Sequence, residues 1–173
     1  MTEQKVTYSD PDGFRDYSGR DEWEIRMEKE VAVSAEVAWE TWFTSIWEGQ
    51  DGPTMLNLGE GRGRLGSART FRLAGLTERI VSVGLPSPSS QPEAVPSISY
   101  SLENFMASSY LGYVRFFPAE PDAKSTRIVW CAKWTPSLAG RLFFGGHLLV
   151  RMLRSAMGQA LDNLGKKAAA KQL

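Results

Sequence analysis

Residues 23–34 read WEIRMEKEVAVS, and the stretch that follows, 35–43, reads AEVAWETWF. In the first stretch apolar residues alternate with charged ones, and this period of two predicts a half-buried β-strand over 23–33. In the second stretch apolar residues recur at helical spacing, Ser34 can cap the amino end of a helix, and Glu36 lies in its first turn. Together they predict a strand that passes directly into a short helix.

The rest of the chain continues with short strands and closes with a long helix. Apolar runs separated by Gly, Pro and Asp predict strands at about 55–60, 67–73, 76–85, 97–104, 109–117 and 126–134. The buried stripe of the last helix is predicted to contain Leu149, Leu153, Ala156, Ala160 and Leu164, with Met152, Met157 and Leu161 beside them. Consecutive strands joined by short turns form an antiparallel meander, and one face of such a sheet must be covered. We therefore predict an α+β fold in which a curved antiparallel sheet wraps around the C-terminal helix and leaves a ligand cavity.

The pattern indicates one folded domain. Residues 1–20, rich in Asp, Gly and Tyr, are expected to form an irregular N-terminal extension, and residues 21–173 a single domain. The low-complexity stretch 86–96 (PSPSSQPEAVP) has four prolines, which exclude regular structure, and it lies between two predicted strands. We interpret it as an elongated hairpin loop.

Composition excludes several function classes. The 20 basic and 20 acidic side chains cancel, which argues against a nucleic-acid partner bound by counterion release. Cys131 is the single cysteine, so we expect neither an internal disulfide nor a multi-cysteine metal site, and a reducing, cytoplasmic setting. No segment approaches the ~20 apolar residues of a membrane span, and no pattern requires a metal or an organic cofactor. The apolar run 142–144 leaves two interpretations open, a homodimer contact or a cavity lid.

The opening stretch also resembles a known family. Residues 31–39 (VAVSAEVAW) are similar to the strand-to-helix opening of the START-like superfamily, also called SRPBCC or Bet v 1-like. Later motifs, in this order, are similar to its polyketide cyclase/dehydrase branch: 59–61 (GEG), 66–69 (GSAR), 76–80 (LTERI), Tyr100 and 126–130 (TRIVW). The resemblance spans about residues 22–168 and implies a helix-grip fold with a hydrophobic cavity. The superfamily includes catalysts, sensors and carriers, so the resemblance implies no single reaction.

Strand alternation places two charged side chains inside the predicted cavity. Arg69 shares its strand face with Phe71, and Glu78 shares its face with Leu76 and Ile80. Both are therefore expected to point inward on adjacent strands. In an apolar cavity Glu78 could act as a proton shuttle, with Arg69 as its electrostatic partner or as a substrate clamp. The alternative is a structural ion pair that satisfies two buried charges.

Two inward tyrosines complete the candidate catalytic set. Tyr100 and Tyr110 have the parity of the cavity face, and either hydroxyl could donate a hydrogen bond to a developing enolate. Inward tyrosines also fill cores and hydrogen-bond locally, and this structural interpretation stays open. The predicted substrate-binding side chains are Trp47, Phe71, Asn104, Phe116, Trp130, Trp134 and His147.

Three further predictions concern residues around the cavity. His147 is the only histidine, and it shares a helix face with two arginines, which favours a surface or capping role over catalysis. Cys131 is expected on the outward face of its strand with Lys133, which should meet water. The stretch 59–66 (GEGRGRLG) precedes a strand rather than a helix, so we interpret it as a hairpin turn at the cavity rim and not as a phosphate loop.

Two function classes follow from the cavity. The first is an enzyme that binds an apolar, oxygenated, polyketide- or terpenoid-like substrate and promotes cyclisation, dehydration or isomerisation by acid/base catalysis on a preorganised conformer. The second is a non-catalytic carrier or sensor of a hydrophobic ligand, which needs only the cavity and a gate at residues 145–146. A weaker third hypothesis is a protein-interaction module that uses the basic last helix.

Overall fold

The described part of the chain is built around one antiparallel sheet, a short first helix and a long last helix. The structure, a computed structural model, describes residues 25–49, 53–71, 75–85, 95–103, 107–119, 124–139 and 147–170. Several predictions lie outside these described residues: the extension 1–20, most of the loop 86–96, Asn104, the apolar run 142–144, the glycines 145–146 and the side chain of His147.

The order of elements confirms the predicted one. The strands are β1 (Ile25–Val31), β2 (Thr54–Asn57), β3 (Ala68–Phe71), β4 (Leu76–Gly84), β5 (Ser97–Glu103), β6 (Ala107–Pro118) and β7 (Thr126–Pro136). Helix α1 (Ala35–Trp42) continues directly into a π-helical turn (Phe43–Trp47), and helix α2 (His147–Ala170) ends the described chain. The short helix thus gains an additional turn that the periodicity did not predict. Such turns are rare and often occur at functional sites.

The junction between β1 and α1 is fixed by local hydrogen bonds. The Ser34 hydroxyl accepts a hydrogen bond from the backbone N–H of Val37 at 3.4 Å, as expected for an N-cap. The buried hydroxyl of Thr126 donates to the carbonyl oxygen of Val33 at 2.7 Å and ties the junction to the start of β7. The first helix therefore has a defined origin on the sheet.

The sheet has the strand order β1-β7-β6-β5-β4-β3-β2, and every neighbouring pair is antiparallel. Strands β2 to β7 follow one another as a meander, and β1 pairs with β7 instead of β2. Helix α2 packs against β1 and α1. No helix within the described residues is long and apolar enough to cross a membrane.

The buried face of α2 differs from the predicted stripe. Its buried side chains are Met157, Leu161, Leu164 and Ala168, with Leu153 and Ala160 partly buried. The prediction was wrong for Met152 and Ala156, which are exposed. The buried residues follow one another at intervals of three or four and form a single stripe, whereas residues 152 and 156 lie about 100° or more away from it around the helix axis.

The two faces of the sheet follow the predicted alternation, with one correction. The inner face is buried at Ile80, Ile98, Tyr100, Tyr110, Val114, Phe116, Ile128, Trp130, Ala132 and Trp134. Cys131 and Lys133 lie on the other face of β7, as predicted, but they are only 5% and 2% exposed. The prediction that Lys133 meets water was therefore wrong. Alternation determines which face a side chain occupies, and it does not determine whether that face is covered.

Candidate functional site

Aromatic rings dominate the space between the sheet and the helices. Trp42 and Trp47, from α1 and the π-helical turn, are stacked with ring centroids 5.7 Å apart. Trp42 also lies 6.2 Å from Trp130 of β7, and Tyr100 of β5 lies 6.1 Å from Tyr110 of β6. All five side chains are buried. We call these five residues the aromatic cluster.

Arg69 and Glu78 meet beside this cluster. They are directly opposite each other on β3 and β4, and both side chains lie on the inner face, as the alternation predicts. The Arg69 Nε and Nη2 atoms each lie 2.6 Å from the same carboxylate oxygen, Oε2 of Glu78. The irregularity in β4 begins only after Ile80, so it leaves the orientation of Glu78 unchanged. The two side chains form a buried ion pair.

Arg69 also holds the end of the π-helical turn. Its Nη1 donates hydrogen bonds to the backbone carbonyl oxygens of Ile46 and, at 2.8 Å, of Trp47. Its guanidinium carbon lies 4.3 Å from the centroid of the Trp47 ring. Carbonyl groups at the end of a helix carry partial negative charge, so a cation is stabilised there. Three of the Arg69 nitrogens are thus engaged within the protein, which favours a positioning role over a substrate clamp.

A hydrogen-bonded chain connects the aromatic cluster. The indole N–H of Trp130 donates to the hydroxyl of Tyr100 at 3.0 Å, and the hydroxyls of Tyr100 and Tyr110 share a side-chain hydrogen bond. The Tyr100 ring lies over Gly112, its register partner on β6, where a Cβ atom would stand 2.2 Å from the Tyr100 Cζ. The missing side chain at Gly112 is therefore what gives the ring its position.

Burial raises the pKa of both phenols. For Tyr100 the neighbouring Tyr110 and the charge of Glu78 act in the same direction, and for Tyr110 the charge of Glu78 does so. The cause is that a phenolate would lose its hydration and would stand close to a carboxylate. Both hydroxyls are therefore protonated at neutral pH and can donate hydrogen bonds.

This arrangement can move a proton. Arg69 binds the Glu78 carboxylate only through Oε2. Among the described residues no hydrogen bond to the other carboxylate oxygen, Oε1, is found. A carboxylate held on one side and unengaged on the other suits a general base, and the adjacent phenols suit stabilisation of a developing oxyanion.

The remaining predicted binding residues fall into three groups. Trp47, Phe116, Trp130 and Trp134 are buried on the interior side, and Trp134 stacks on Tyr110 with centroids 6.3 Å apart. Phe71 is partly buried, and the Arg69 Cζ atom lies 5.2 Å from the centroid of its ring. Asn104 and the side chain of His147 lie outside the described residues.

Sequence reasoning missed two contributors to the site. Ser67 accepts a hydrogen bond from the indole N–H of Trp47 at 2.8 Å, and Ser67 Oγ in turn donates to the carbonyl oxygen of Asn57 at 3.0 Å. The signal was the need of a buried indole for an acceptor, but its position could not be deduced from local pattern. Gly112 is the second, and nothing in the pattern of its own strand points to the Tyr100 ring across it.

The glycine-rich stretch 59–66 forms the predicted hairpin. Glu60 and Leu65 exchange backbone hydrogen bonds of 2.9 and 3.0 Å. A cleft of about 490 Å³ lies between this hairpin and α1; it is lined by Trp39, Glu40, Phe43, Thr44, Leu58, Gly59, Gly61, Arg62 and Arg64. Arg62 pairs with Glu36 and Glu40, and Arg64 with Glu48. Both cations are neutralised locally, so the hairpin offers no free charge to a phosphate.

Comparison with solved structures places this geometry in a known fold. A norcoclaurine synthase point mutant from Thalictrum flavum, solved with a transition state analogue, superposes with a TM-score of 0.57 at 15% identity, covering 86% of this chain and 95% of that one. The protein XoxI from Bacillus cereus gives a TM-score of 0.58 at 14% identity, with 86% and 97% covered. The fold is the Bet v 1-like helix-grip fold.

A conserved protein from Geobacillus kaustophilus shares the helix-grip architecture, with a TM-score of 0.57 at 12% identity over 84% of this chain and 94% of that one. No protein-family model and no curated protein sequence matches the chain. At these identities the helix-grip neighbours establish the architecture, and the chemistry has to be argued from the side chains.

Proposed function

We propose that this helix-grip protein is a small-molecule enzyme of the polyketide cyclase/dehydrase type. It acts on an apolar, oxygenated, polyketide- or terpenoid-like substrate bound against the aromatic cluster and promotes cyclisation, dehydration or isomerisation. The observation that carries the proposal is the buried Glu78 carboxylate, which Arg69 holds through Oε2 and whose charge helps to raise the pKa of Tyr100 and Tyr110.

The chemistry assigns each group one task. Glu78 removes a proton from a carbon next to a substrate carbonyl, and the proton passes to Oε1. The carbonyl oxygen takes the negative charge and accepts a hydrogen bond from a protonated tyrosine hydroxyl. In a dehydration, the proton on Glu78 then goes to the departing hydroxyl group, which leaves as water. Arg69 positions Glu78 and the π-helical turn and does not touch the substrate.

Two further observations support the proposal. A helix-grip neighbour at 15% identity is named as a synthase and was solved with a transition state analogue, so this architecture can host catalysis. The resemblance of 66–69 and 76–80 to the polyketide cyclase branch covers the strands that carry Arg69 and Glu78.

The second candidate is a carrier or sensor of a hydrophobic ligand. It is favoured by the engagement of Arg69 within the protein, since its guanidinium binds Glu78 and two backbone carbonyls without any ligand. A carrier needs the aromatic cluster only as an apolar surface and returns its ligand unchanged.

Native mass spectrometry of the freshly purified protein, followed by extraction and identification of any retained molecule, separates the two functions. A chemically intact apolar ligand that survives incubation with the protein supports the carrier. An empty protein supports a catalyst that releases its product, and it is then tested for turnover of oxygenated polyketide and terpenoid substrates.

The turnover test compares two glutamates that both pair with an arginine. E78Q is expected to lower turnover by ~10²–10⁴-fold, the usual contribution of a general base. E40Q, at an exposed pair with Arg62, is expected to leave it unchanged. Y110F leaves the ion pair intact and serves if E78Q does not fold. Unchanged turnover in E78Q would show the mechanism to be wrong, and so would unchanged turnover in both Y100F and Y110F.

A further inference from the structure

The outer face of β6 and β7 carries cations and aromatic rings that the interior site does not use. Tyr113, Arg115 and Phe117 follow one another at every second position of β6 and therefore share this face. Arg127 of β7 is the register partner of Phe117. Neighbouring strands thus place two guanidinium groups around one phenyl ring.

The two guanidinium groups are oriented by that ring. The Cζ atom of Arg115 lies 4.7 Å from the Phe117 centroid and 5.9 Å from the Tyr113 centroid, and the Cζ of Arg127 lies 5.2 Å from Phe117. A cation within about 6 Å of a ring centroid is attracted by the ring, and a guanidinium can offer planar, bidentate hydrogen bonds from its N–H edges. These arginines are therefore preorganised donors.

Neither of these two arginines pairs with a carboxylate among the described residues. Arg26 on β1 is taken by Glu28 at 2.6 Å, and Glu30, the β1 partner of Arg127, forms no ion pair with it there. The register partners of Arg115 are Ser97 and Val129, which carry no charge.

The Nε atom of Arg115 gives the second, independent observation. It is buried and has no hydrogen-bond partner within the described part of the chain. A buried cationic donor without an acceptor is unfavourable, so an arriving acceptor is stabilised there.

A small cavity lies between these side chains. It measures about 100 Å³, the size of a single small group, and Cys131 lies in its wall with Arg26, Arg115 and Arg127. Burial raises the pKa of the Cys131 thiol to about 11, and Glu28 acts in the same direction, while Arg26 and Arg115 act in the opposite one. Since Arg26 pairs with Glu28, Arg115 is the cation near the thiol whose charge is not paired with a carboxylate among the described residues.

We propose that this outer-face cavity binds a phosphate group, with Arg115 and Arg127 as its charged ligands. A phosphate presents several oxygens, so two guanidinium edges that approach from different strands can each bind a different pair. Carboxylate has only two oxygens and engages a single fork. The site shares no residue with the interior mechanism, so it stands or falls independently of the proposed function.

The test titrates inorganic phosphate into the full chain while chloride keeps the ionic strength constant. The arginine Nε–H signals are followed by ¹⁵N–¹H correlation spectroscopy, and R115Q assigns the Arg115 signal. A saturable downfield shift of that signal is expected, together with at least ~10-fold weaker binding in R115Q and R127Q, the effect of losing one charge-assisted donor set. R115K keeps the charge but loses the fork, and it should bind several-fold more weakly than the wild type.

R154Q is the matched control, because it removes an exposed arginine of α2 and the same net charge. It should bind phosphate as the wild type does. An Arg115 signal that responds equally to chloride, or a loss in R154Q as large as in R115Q, overturns the proposal. R127Q keeps the test informative if R115Q misfolds, because Arg127 is exposed.

Two additional arms identify the source of the phosphate group. Glycerol 3-phosphate represents a soluble phosphomonoester, and phosphatidylcholine vesicles with phosphatidic acid represent a lipid headgroup, against pure phosphatidylcholine vesicles. Binding lost in R115Q for only one of these probes assigns the site to that source. Absence of binding to every phosphate probe overturns the site, and it leaves the interior mechanism untouched.

Discussion

Arg69 on the inner face and Arg115 on the outer face show how position decides what one residue type does. Arg69 is buried and binds Glu78 and two backbone carbonyl oxygens, so its charge is paired within the protein. Arg115 is stacked on Tyr113 and Phe117 and has no carboxylate partner among the described residues. The buried charge of Arg69 is paired within the fold, whereas the buried Nε atom of Arg115 has no acceptor among the described residues. The inner arginine is therefore engaged within the protein, and the outer one is the ligand contact that we propose.

The largest expected effect comes from breaking the inner pair. R69M leaves the Glu78 carboxylate buried without a counter-charge, and we expect a loss of about 3–5 kcal/mol in the free energy of unfolding, measured by urea denaturation. R115M on the outer face should cost much less, because it leaves no buried charge behind. Equal losses in the two variants would contradict the comparison.

The double variant R69M/E78L sharpens this result. Replacing both partners by apolar residues removes the uncompensated charge, so the double variant should be more stable than R69M alone. It should not regain the full wild-type stability, since the carbonyl groups of Ile46 and Trp47 still lose their donor. A double variant no more stable than R69M would mean that the ion pair itself contributes little.

The next effect concerns the close packing of the inner face at Gly112. G112A introduces a Cβ atom 2.2 Å from the Tyr100 Cζ, so the ring must move, and we expect a loss of about 3 kcal/mol. G165A on α2 is the control, because its new Cβ would lie 3.6 Å from Val31, an ordinary contact. A gain of about 0.5–1 kcal/mol is expected there from helix propensity. Thermal unfolding should therefore show a lower Tm for G112A and a higher Tm for G165A than for the wild type. A Tm for G112A equal to that of the wild type would contradict the close approach of Tyr100 to Gly112.

A smaller loss is expected when the hydroxyl of Tyr100 is removed. Y100F keeps the ring over Gly112 but leaves the indole N–H of Trp130 without its acceptor. The cost is about 1–3 kcal/mol, the penalty of one buried unsatisfied donor. Y110F leaves the Trp130 hydrogen bond in place and should cost less. If chemical denaturation shows Y110F to be less stable than Y100F, the Tyr100 hydroxyl is not the acceptor on which the Trp130 indole N–H depends.

The smallest effect is a pH dependence that distinguishes the two faces. Cys131 on the outer face has its pKa raised from 9.0 to about 11, and Tyr110 on the inner face has its pKa raised above 10.0, each chiefly by burial. Above the unfolded-state values the unfolded chain binds fewer protons than the native one, so stability falls as pH rises and is constant below. Stability should begin to fall above pH 9.0 through Cys131 and more steeply above pH 10.0 through the tyrosines.

The two contributions can be separated by variants at alkaline pH. C131A should remove the first decline, and Y110F should reduce the second, when urea midpoints are compared between pH 8 and 11. A decline with the same onset in C131A and the wild type would exclude the thiol as its source. The quantity compared is the change of the urea midpoint with pH. A loss of stability that is the same at every pH in either variant therefore does not affect the outcome.

The local sequence pattern predicted the order of the elements and the sheet face of the main candidate residues. The alternation around Arg69 and Glu78 was enough to place both on one face, because their strands are adjacent and the β4 irregularity comes only after Ile80. It could not show that Arg69 also reaches the carbonyl groups of Ile46 and Trp47, which depends on where the π-helical turn ends. The same limit explains the error at Lys133, since alternation does not report what lies above a face.

Taken alone, the amino-acid sequence determined the order of the elements and the face that each strand residue occupies. These properties depend on interactions between residues a few positions apart, and the periods of 2 and 3.6 record them directly. Tertiary structure decided which charges are used internally and which remain available. That decision rests on contacts between distant segments, such as Arg69 with the π-helical turn and Arg115 with its uncharged register partners. A charge is satisfied or left open only when the folded chain determines its neighbours, and no local pattern contains that information.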